Sequence, residues 1–148
     1  MLIRAATAAD VDAWLTLRTK LWPATPAHEH RSELAQKLAS PERFAALLAF
    51  DESGSAVGFA EAALRTDPVN GCASSPVAFL EGIYVEEAAR RRGTARVLCA
   101  AVERWAVAHG CTELASDAVV ENRASHDLHR SIGFTPTERV IFYRKELS

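Results

Sequence analysis

Residues 79–96 read F-L-E-G-I-Y-V-E-E-A-A-R-R-R-G-T-A-R. Leu80, Ile83, Tyr84 and Val85 are apolar or β-favouring, so the stretch opens as a strand. A charged segment, Glu86 to Arg92, follows. Gly93 then launches an amphipathic helix, with Val97, Leu98, Ala101, Val102, Trp105 and Ala108 expected on its apolar face. Strand, basic glycine turn and helix together make an anion-binding geometry. The first N–H groups of a helix lack internal partners, and the aligned peptide dipoles make that end positive. Small residues at Gly93 and Ala95 let a phosphate approach the N–H groups of Gly93, Thr94, Ala95 and Arg96. Arg91, Arg92 and Arg96 add mobile charge. Neither G-x-x-x-x-G-K-[ST] nor G-x-G-x-x-G is present. Taken alone, the loop reads equally well as a helix-capping turn.

A chain of 148 residues, 49% hydrophobic and 24% charged, fits one soluble domain with a sizeable core. The formal net charge of −2 argues against nucleic acid as a partner. It leaves room for a local basic loop and a separate acidic pocket. Cys72, Cys99 and Cys111 form an odd set without C-x-x-C, which disfavours a disulfide framework or a zinc site and fits a cytoplasmic protein. No apolar run reaches membrane-spanning length, and the N-terminus lacks a signal-peptide core. His28-x-His30 and His126-x-x-His129 do not match a closed metal-ligand spacing, so no metal is expected.

The remaining elements follow from pattern and punctuation. Leu2 to Ala5 is a short strand. Thr7 caps a helix, with Asp10 favouring its positive end. Val11, Trp14, Leu15, Leu17 and Leu21 form that helix's buried side, with the Arg18 stem along the edge. Pro23 and Pro26 interrupt it after Trp22, and a second helix covers Ala27 to Leu38. Arg43 to Phe50 and Ala56 to Arg65 flank the turn D-E-S-G-S as a hairpin. Thr66 to Pro76 is a long loop. Gly110 ends the central helix, Thr112 to Ser116 is a strand, and Arg123 to Ile132 is a helix closed by Gly133. Val140 to Lys145 is expected as a last strand. The order β-α-α-β-β-β-α-β-α-β is that of an α/β domain with a mixed sheet. Gly82 marks a bulge site within the central strand.

Arg90-x-x-Gly93-x-Ala95 after an apolar strand resembles the acyl-CoA loop of the GNAT superfamily of N-acetyltransferases. E-N-R-A-S-H-D-L-H-R-S-I-G-F, residues 121–134, resembles that superfamily's second cofactor segment. L-W-P at Leu21 to Pro23, V-N-G-C-A-S-S-P-V-A-F-L-E-G-I-Y-V, L-A-S-D and T-E-R-V-I-F-Y-R-K are similar to the aminoglycoside 6'-N-acetyltransferases. These blocks cover nearly the whole chain, which is identified as a member of that group. The resemblance implies one domain over residues 1–148, with a mixed, mostly antiparallel sheet flanked by helices. It implies acetyl-CoA as cosubstrate, its pantetheine arm on backbone groups of Ile83, Tyr84 and Val85 where the central strand splays. Asn122 is implied as a further cofactor contact, or else is simply a helix N-cap.

An aminoglycoside is a polycation, so its pocket needs carboxylates. The resemblance places substrate amines on Glu81, Asp117 and Glu138, with Trp22 lining the pocket. Glu81 also reads as a salt-bridge partner of Arg65 or another neighbour, Asp117 as a turn cap, Glu138 as a solvated charge and Trp22 as core. Pro68 stands where relatives often carry an aromatic residue. The implied reaction is direct attack by an amine, with Glu81 drawing off its proton. Tyr143 and His129 are both candidates to protonate the departing thiolate, Tyr143 being preferred because a phenol is a proton source at neutral pH. Other acceptors (a polyamine, a peptide N-terminus, a lysine) and a non-catalytic CoA-binding module are the alternatives. Members of the group are often homodimers, and V-I-F-Y at residues 140–143 suits a subunit contact.

Overall fold

A computed structural model describes all 148 residues. The chain divides into two compact units, Met1–Asp117 and Ala118–Ser148. The first holds strands β1 (Leu2–Ala5), β2 (Phe44–Phe50), β3 (Ala56–Arg65), β4 (Val77–Val85) and β5 (Leu114–Ser116). Its helices are α1 (Val11–Leu21), α2 (Ala27–Ala39) and α3 (Thr94–Ala108). The strands form one sheet in the order β1-β2-β3-β4-β5, antiparallel except for the parallel pair β4–β5. A parallel neighbour needs a crossover, and α3 supplies it. The fold is the expected mixed, mostly antiparallel α/β sheet.

Each face of the sheet is covered. Trp14, Leu17 and Leu34 from α1 and α2 pack with Leu48, Phe50 and Phe59. On the opposite side of the pleat, α3 buries Leu98, Cys99, Val102 and Ala106. Its buried stripe is rotated from the expected face, since Val97 and Ala108 are exposed. The small, buried Cys99 and Ala106 let the helix lie close to the sheet, and the ends of the apolar run turn to solvent. Asp51 caps the β2–β3 turn, accepting from the N–H groups of Ser53 and Ser55 at 2.9 and 3.0 Å. Asp10 ends a 3-10 turn before α1 and accepts from the Thr7 N–H at 2.8 Å. It also takes a two-pronged ion pair from Arg4 at 2.7 and 3.0 Å.

Arg18 departs from expectation. It is not an edge residue but lies fully buried, its Nε 2.7 Å from Oε2 of Glu61, which is itself completely buried. Neither charge is tolerable alone in a core, and each is the reason for the other.

The second unit holds α4 (Arg123–Ser131), ended by Gly133 at φ 101°. The strand expected at Val140 to Lys145 is not formed. Residues 134–148 have no regular structure, and Phe142 and Tyr143 are 86% and 89% exposed. The stretch has strand propensity, but a strand exists only where a neighbour takes its backbone groups, and nothing pairs with it in the single chain.

Candidate active site

The sheet parts at one point. β4 and β5 pair from Ala78↔Leu114 to Leu80↔Ser116 and no further, and the Ser116 Oγ closes the junction by donating to the Leu80 carbonyl at 3.1 Å. Glu81 and Asp117 are the next residues on the two strands, so both carboxylates stand where the strands diverge. On its other side β4 is bulged. Glu61 pairs with Gly82 and Ala62 with Leu80, which leaves Glu81 as the extra residue. That frees the Glu81 side chain from the alternation of the strand and leaves it one-third exposed. Gly82 is required beside it, because a Cβ there would lie 2.4 Å from the Trp22 ring. The expected bulge at Gly82 thus has two functions: it turns Glu81 outward and seats Trp22 against the strand.

Glu81 does pair with a cation, but not with Arg65, whose guanidinium lies over the Phe79 ring at 3.5 Å. Its partner is Lys37 of α2, with Nζ 3.2 Å from Oε1. Trp22, half-buried, meets the Phe59 ring edge-on at 5.9 Å and the Arg18 guanidinium at 4.8 Å. Lys37 and Glu61 were not singled out by sequence reading, and Arg18 was read only as a residue of the helix edge. The signal was there: a glutamate and an arginine each stand among apolar residues of amphipathic elements. Glu113 was missed for a different reason, since it anchors a loop rather than the core. Its Oε1 accepts from the N–H groups of Ala73 and Ser74 at 2.9 and 2.8 Å and from the Ser74 hydroxyl. The Ser74 hydroxyl, with those amides, holds the carboxyl below its usual range. The loop that carries Pro68 is thereby tied to the base of β5.

Beyond Leu80, β4 keeps only β3 as a neighbour. Glu86 N–H donates to the Val57 carbonyl at 2.7 Å, so by alternation Tyr84 also faces β3. Ile83 and Val85 turn their N–H and C=O groups to the open side, where the Val85 carbonyl accepts from Arg90 Nε at 2.8 Å. Arg90 thus braces the loop instead of reaching outward. Arg91 and Gly93 both sit in the left-handed region, at φ 63° and 78°. Such turns gather successive N–H groups into a concave anion seat. A Cβ built on Gly93 meets nothing within 4 Å, so the space before α3 is open. Buried Thr94 ties the loop back, its Oγ1 donating to the Ala89 carbonyl at 3.2 Å. Arg91, Arg92 and Arg96 are exposed around it. These residues fit a pyrophosphate.

In the second unit, Asn122 caps α4, its Oδ1 accepting from the Ser125 N–H at 3.1 Å, while its amide nitrogen has no such duty. His129 Nδ1 lies 2.6 Å from the Ser125 carbonyl. A carbonyl only accepts, so Nδ1 carries a proton. The ring stands edge-on to Phe134 at 5.2 Å. Glu138 and Tyr143 are exposed on the irregular tail. The three cysteines are free. Burial pushes the Cys99 thiol up to about 12, with Glu103 adding to the shift, and raises Cys72 and Cys111 as well. None is an activated nucleophile. No helix is long and apolar enough to cross a membrane.

The α/β frame thus presents a parted strand pair with carboxylates where it diverges, and a basic loop at the open end of a long helix. The model of the acetyltransferase (GNAT) family matches residues 11–134. Aminoglycoside N(6')-acetyltransferase type 1 of Serratia marcescens is 55% identical over 93% of this chain and 94% of its own. The apo crystal structure of the aminoglycoside antibiotic 6'-N-acetyltransferase AAC(6')-IG from Acinetobacter haemolyticus superposes with TM-score 0.95 at 43% identity, covering 100% of both chains. AAC(6')-Iy in complex with the bisubstrate analogue CoA-S-monomethyl-acetylneamine gives TM-score 0.93 at 45% identity, covering 99% of this chain and 98% of that one. The chain belongs to the acetyltransferase (GNAT) family.

Proposed function

We propose that this chain transfers the acetyl group of acetyl-CoA to the 6'-amino group of aminoglycosides by direct attack, which confers resistance to them. The observation that carries the reading is the placement of Glu81 and Asp117 just past the last paired residues of β4 and β5, with Trp22 seated on Gly82 beside Glu81. Two carboxylates and an aromatic face suit an amino sugar bearing several ammonium groups. The names of the relatives support the same acceptor. Glu138 is assigned as a third carboxylate for the acceptor.

The cosubstrate supplies an acetyl thioester, an acyl group already activated toward amines. Arg91, Arg92 and the N–H groups of Gly93, Thr94, Ala95 and Arg96 hold its pyrophosphate, and Asn122 contributes its amide nitrogen. Ile83 and Val85 offer backbone groups to the pantetheine arm. The Tyr84 backbone faces the ladder, so Tyr84 contributes by its position between them. Donors on the open strand also suit the developing charge of a carbonyl oxygen.

The amine must attack neutral. With an alkylamine pKa near 10.4, well under about one in 10³ is free base at pH 7, a cost of roughly 4–5 kcal/mol. Glu81 accepts the amine's proton, directly or through water, and Asp117 binds a neighbouring ammonium. Of the two acids for the thiolate, Tyr143 carries a phenolic proton, whereas the His129 Nδ1 proton is committed to the Ser125 carbonyl. Tyr143 is therefore assigned the role.

Incubation of kanamycin or tobramycin with the protein and acetyl-CoA tests the reading. The expected product carries one acetyl group by mass, located at the 6'-nitrogen by NMR. Acetylation at another nitrogen, or of other amines only, overturns it. As part of the same proposal, the chain acts as one catalytic domain in the cytoplasm and as a homodimer. The exposed apolar tail residues Val140, Ile141, Phe142 and Tyr143 support the dimer, because a lone chain gains nothing by showing them to water.

A further inference from the structure

A buried network of charge lies behind the carboxylate and the indole of the acceptor site. Glu61 is fully enclosed, and its two oxygens are already occupied. Oε2 accepts from Arg18 Nε at 2.7 Å and from the Trp14 indole at 2.9 Å, and Oε1 accepts from Arg18 Nη2 at 3.0 Å. Arg18 Nη1 reaches Glu33 at 2.7 Å and His30 Nδ1 at 3.0 Å. A guanidinium only donates, so His30 accepts at Nδ1 and turns its Nε2–H toward the Trp22 carbonyl, 3.3 Å away. Arg18 also stacks on the Trp22 ring. One buried arginine thus holds Trp22 by its face and, through His30, by its backbone.

Lys37 joins this network to the other wall of the site. Its side chain is 9% exposed, and its ammonium lies over the Phe44 ring at 4.7 Å. Nζ stands 3.5 Å from Glu61 Oε1 and 3.2 Å from Glu81 Oε1. Glu61 already takes its hydrogen bonds from Arg18 and Trp14, so Lys37 adds only a longer-range charge to it. The shorter contact goes to Glu81, the bulged residue, whose side chain no strand neighbour orients. A long lysine held in one buried rotamer fixes one oxygen of that carboxylate and leaves the other to an incoming amine.

We propose that Lys37 is a positioning residue of the acceptor site: it sets the orientation of the Glu81 carboxylate from a buried charge network that also seats Trp22. The proposal rests on the acceptor role given to Glu81 above. It accounts for a buried cation beside a site meant for cations. A free carboxylate at a bulge samples many rotamers, and the order imposed on it outweighs the charge that Lys37 offsets. Arg18 acts on Trp22 by the same logic.

The test is a double-mutant cycle with steady-state kinetics for tobramycin and acetyl-CoA. Lys37→Met keeps an apolar stem of similar length and removes the ammonium that lies over Phe44. It is expected to lower kcat/KM for the acceptor about tenfold, with the KM for acetyl-CoA unchanged. In a Glu81→Gln background the same change is expected to cost less than about twofold, because Lys37 acts through Glu81. Lys37→Arg, which restores a donor, is expected to recover much of the loss. Equal effects of Lys37→Met in both backgrounds, or an equal rise in both KM values, indicate a merely structural role and overturn the proposal. So does a gain in acceptor affinity, which makes Lys37 a competitor of the amine. Thermal midpoints of the variants guard against misfolding, and Lys37→Gln serves as the uncharged donor if the methionine variant does not fold. If the wild type acetylates spermidine or a lysine peptide but not tobramycin, the aminoglycoside reading fails and the cycle is run with that amine. A wild type that releases no thiol with any of them overturns both.

Discussion

Asp117 and Glu81 follow directly on the last paired residues of β5 and β4, yet they are expected to fail differently when altered. Each close ammonium–carboxylate pair contributes about 1–3 kcal/mol as a charge-assisted hydrogen bond. Asp117→Asn is therefore expected to raise the aminoglycoside KM about five- to a hundredfold while acetyl-CoA binding holds. Glu81→Gln is expected to lower kcat as well, because its carboxylate takes the proton. Added salt weakens acceptor binding in the wild type and less so in Asp117→Asn, which initial rates at two ionic strengths measure. Gly82 gives a third handle. An added methyl meets the Trp22 ring at 2.4 Å, so Gly82→Ala must displace the indole. An increase in acceptor KM, with reduced quenching of tryptophan fluorescence by the aminoglycoside, is the expected result. Glu81 and Asp117 stand out in the sequence as a charge in an apolar strand and a carboxylate at a strand end, and Trp22 through the resemblance of L-W-P alone. Their supports do not. Lys37 sits on a helix rich in solvated charge, and only the fold brings it to Glu81.

At the scale of elements, punctuation in the sequence set most boundaries. β3 runs from Ala56 to Arg65 as read, because D-E-S-G-S permits only a turn before it. The face of α3 was less legible, since alanines and valines surround that helix and the pattern alone does not choose among neighbouring stripes. The start of α1 carries a pH prediction. The Arg4 guanidinium holds the Asp10 carboxyl down to about 2, with Thr7 adding hydrogen bonds. An unfolded aspartate titrates near 3.9. The folded value is the lower one, so the stabilisation is complete above about pH 4 and disappears as pH falls toward 2. Asp10→Asn is expected to cost about 1 kcal/mol at pH 7, given that Arg4 is partly solvated, and so a few degrees in Tm. The gap between variant and wild type should close across that acid window in thermal melts. The cofactor loop is tested by Gly93→Val. The position lies at φ 78° with open space around it, so the valine costs about 1–2 kcal/mol of backbone strain and stands where an anion would approach. Acetyl-CoA affinity by calorimetry is expected to fall by about tenfold or more, with the fold retained. Unchanged affinity removes the loop from the site.

For the whole molecule, the tail after α4 is the place where sequence and single chain disagree, and the disagreement is informative. Val140, Ile141, Phe142 and Tyr143 have the composition of a strand, and in one chain all four side chains are exposed. An unpaired stretch of this kind is a template for another chain, and proteins manage such stretches by covering them. A second copy offers the same segment by symmetry, so an isologous contact closes on itself. Burying four such side chains at both ends of a two-fold contact removes on the order of several hundred Å² of apolar surface from water, which at about 25 cal/mol per Å² offsets much of the cost of association. A dimer mass is therefore expected by light scattering at micromolar concentration. Phe142→Asp buries a charge in that contact and is expected to give a monomer, with a loss of order in the tail by hydrogen exchange. Because Tyr143 lies beside it, the same variant should lose turnover while the basic loop keeps its affinity for acetyl-CoA. A wild-type protein that is monomeric at working concentration and fully active excludes the dimer, and would require Tyr143 to find its place within one chain.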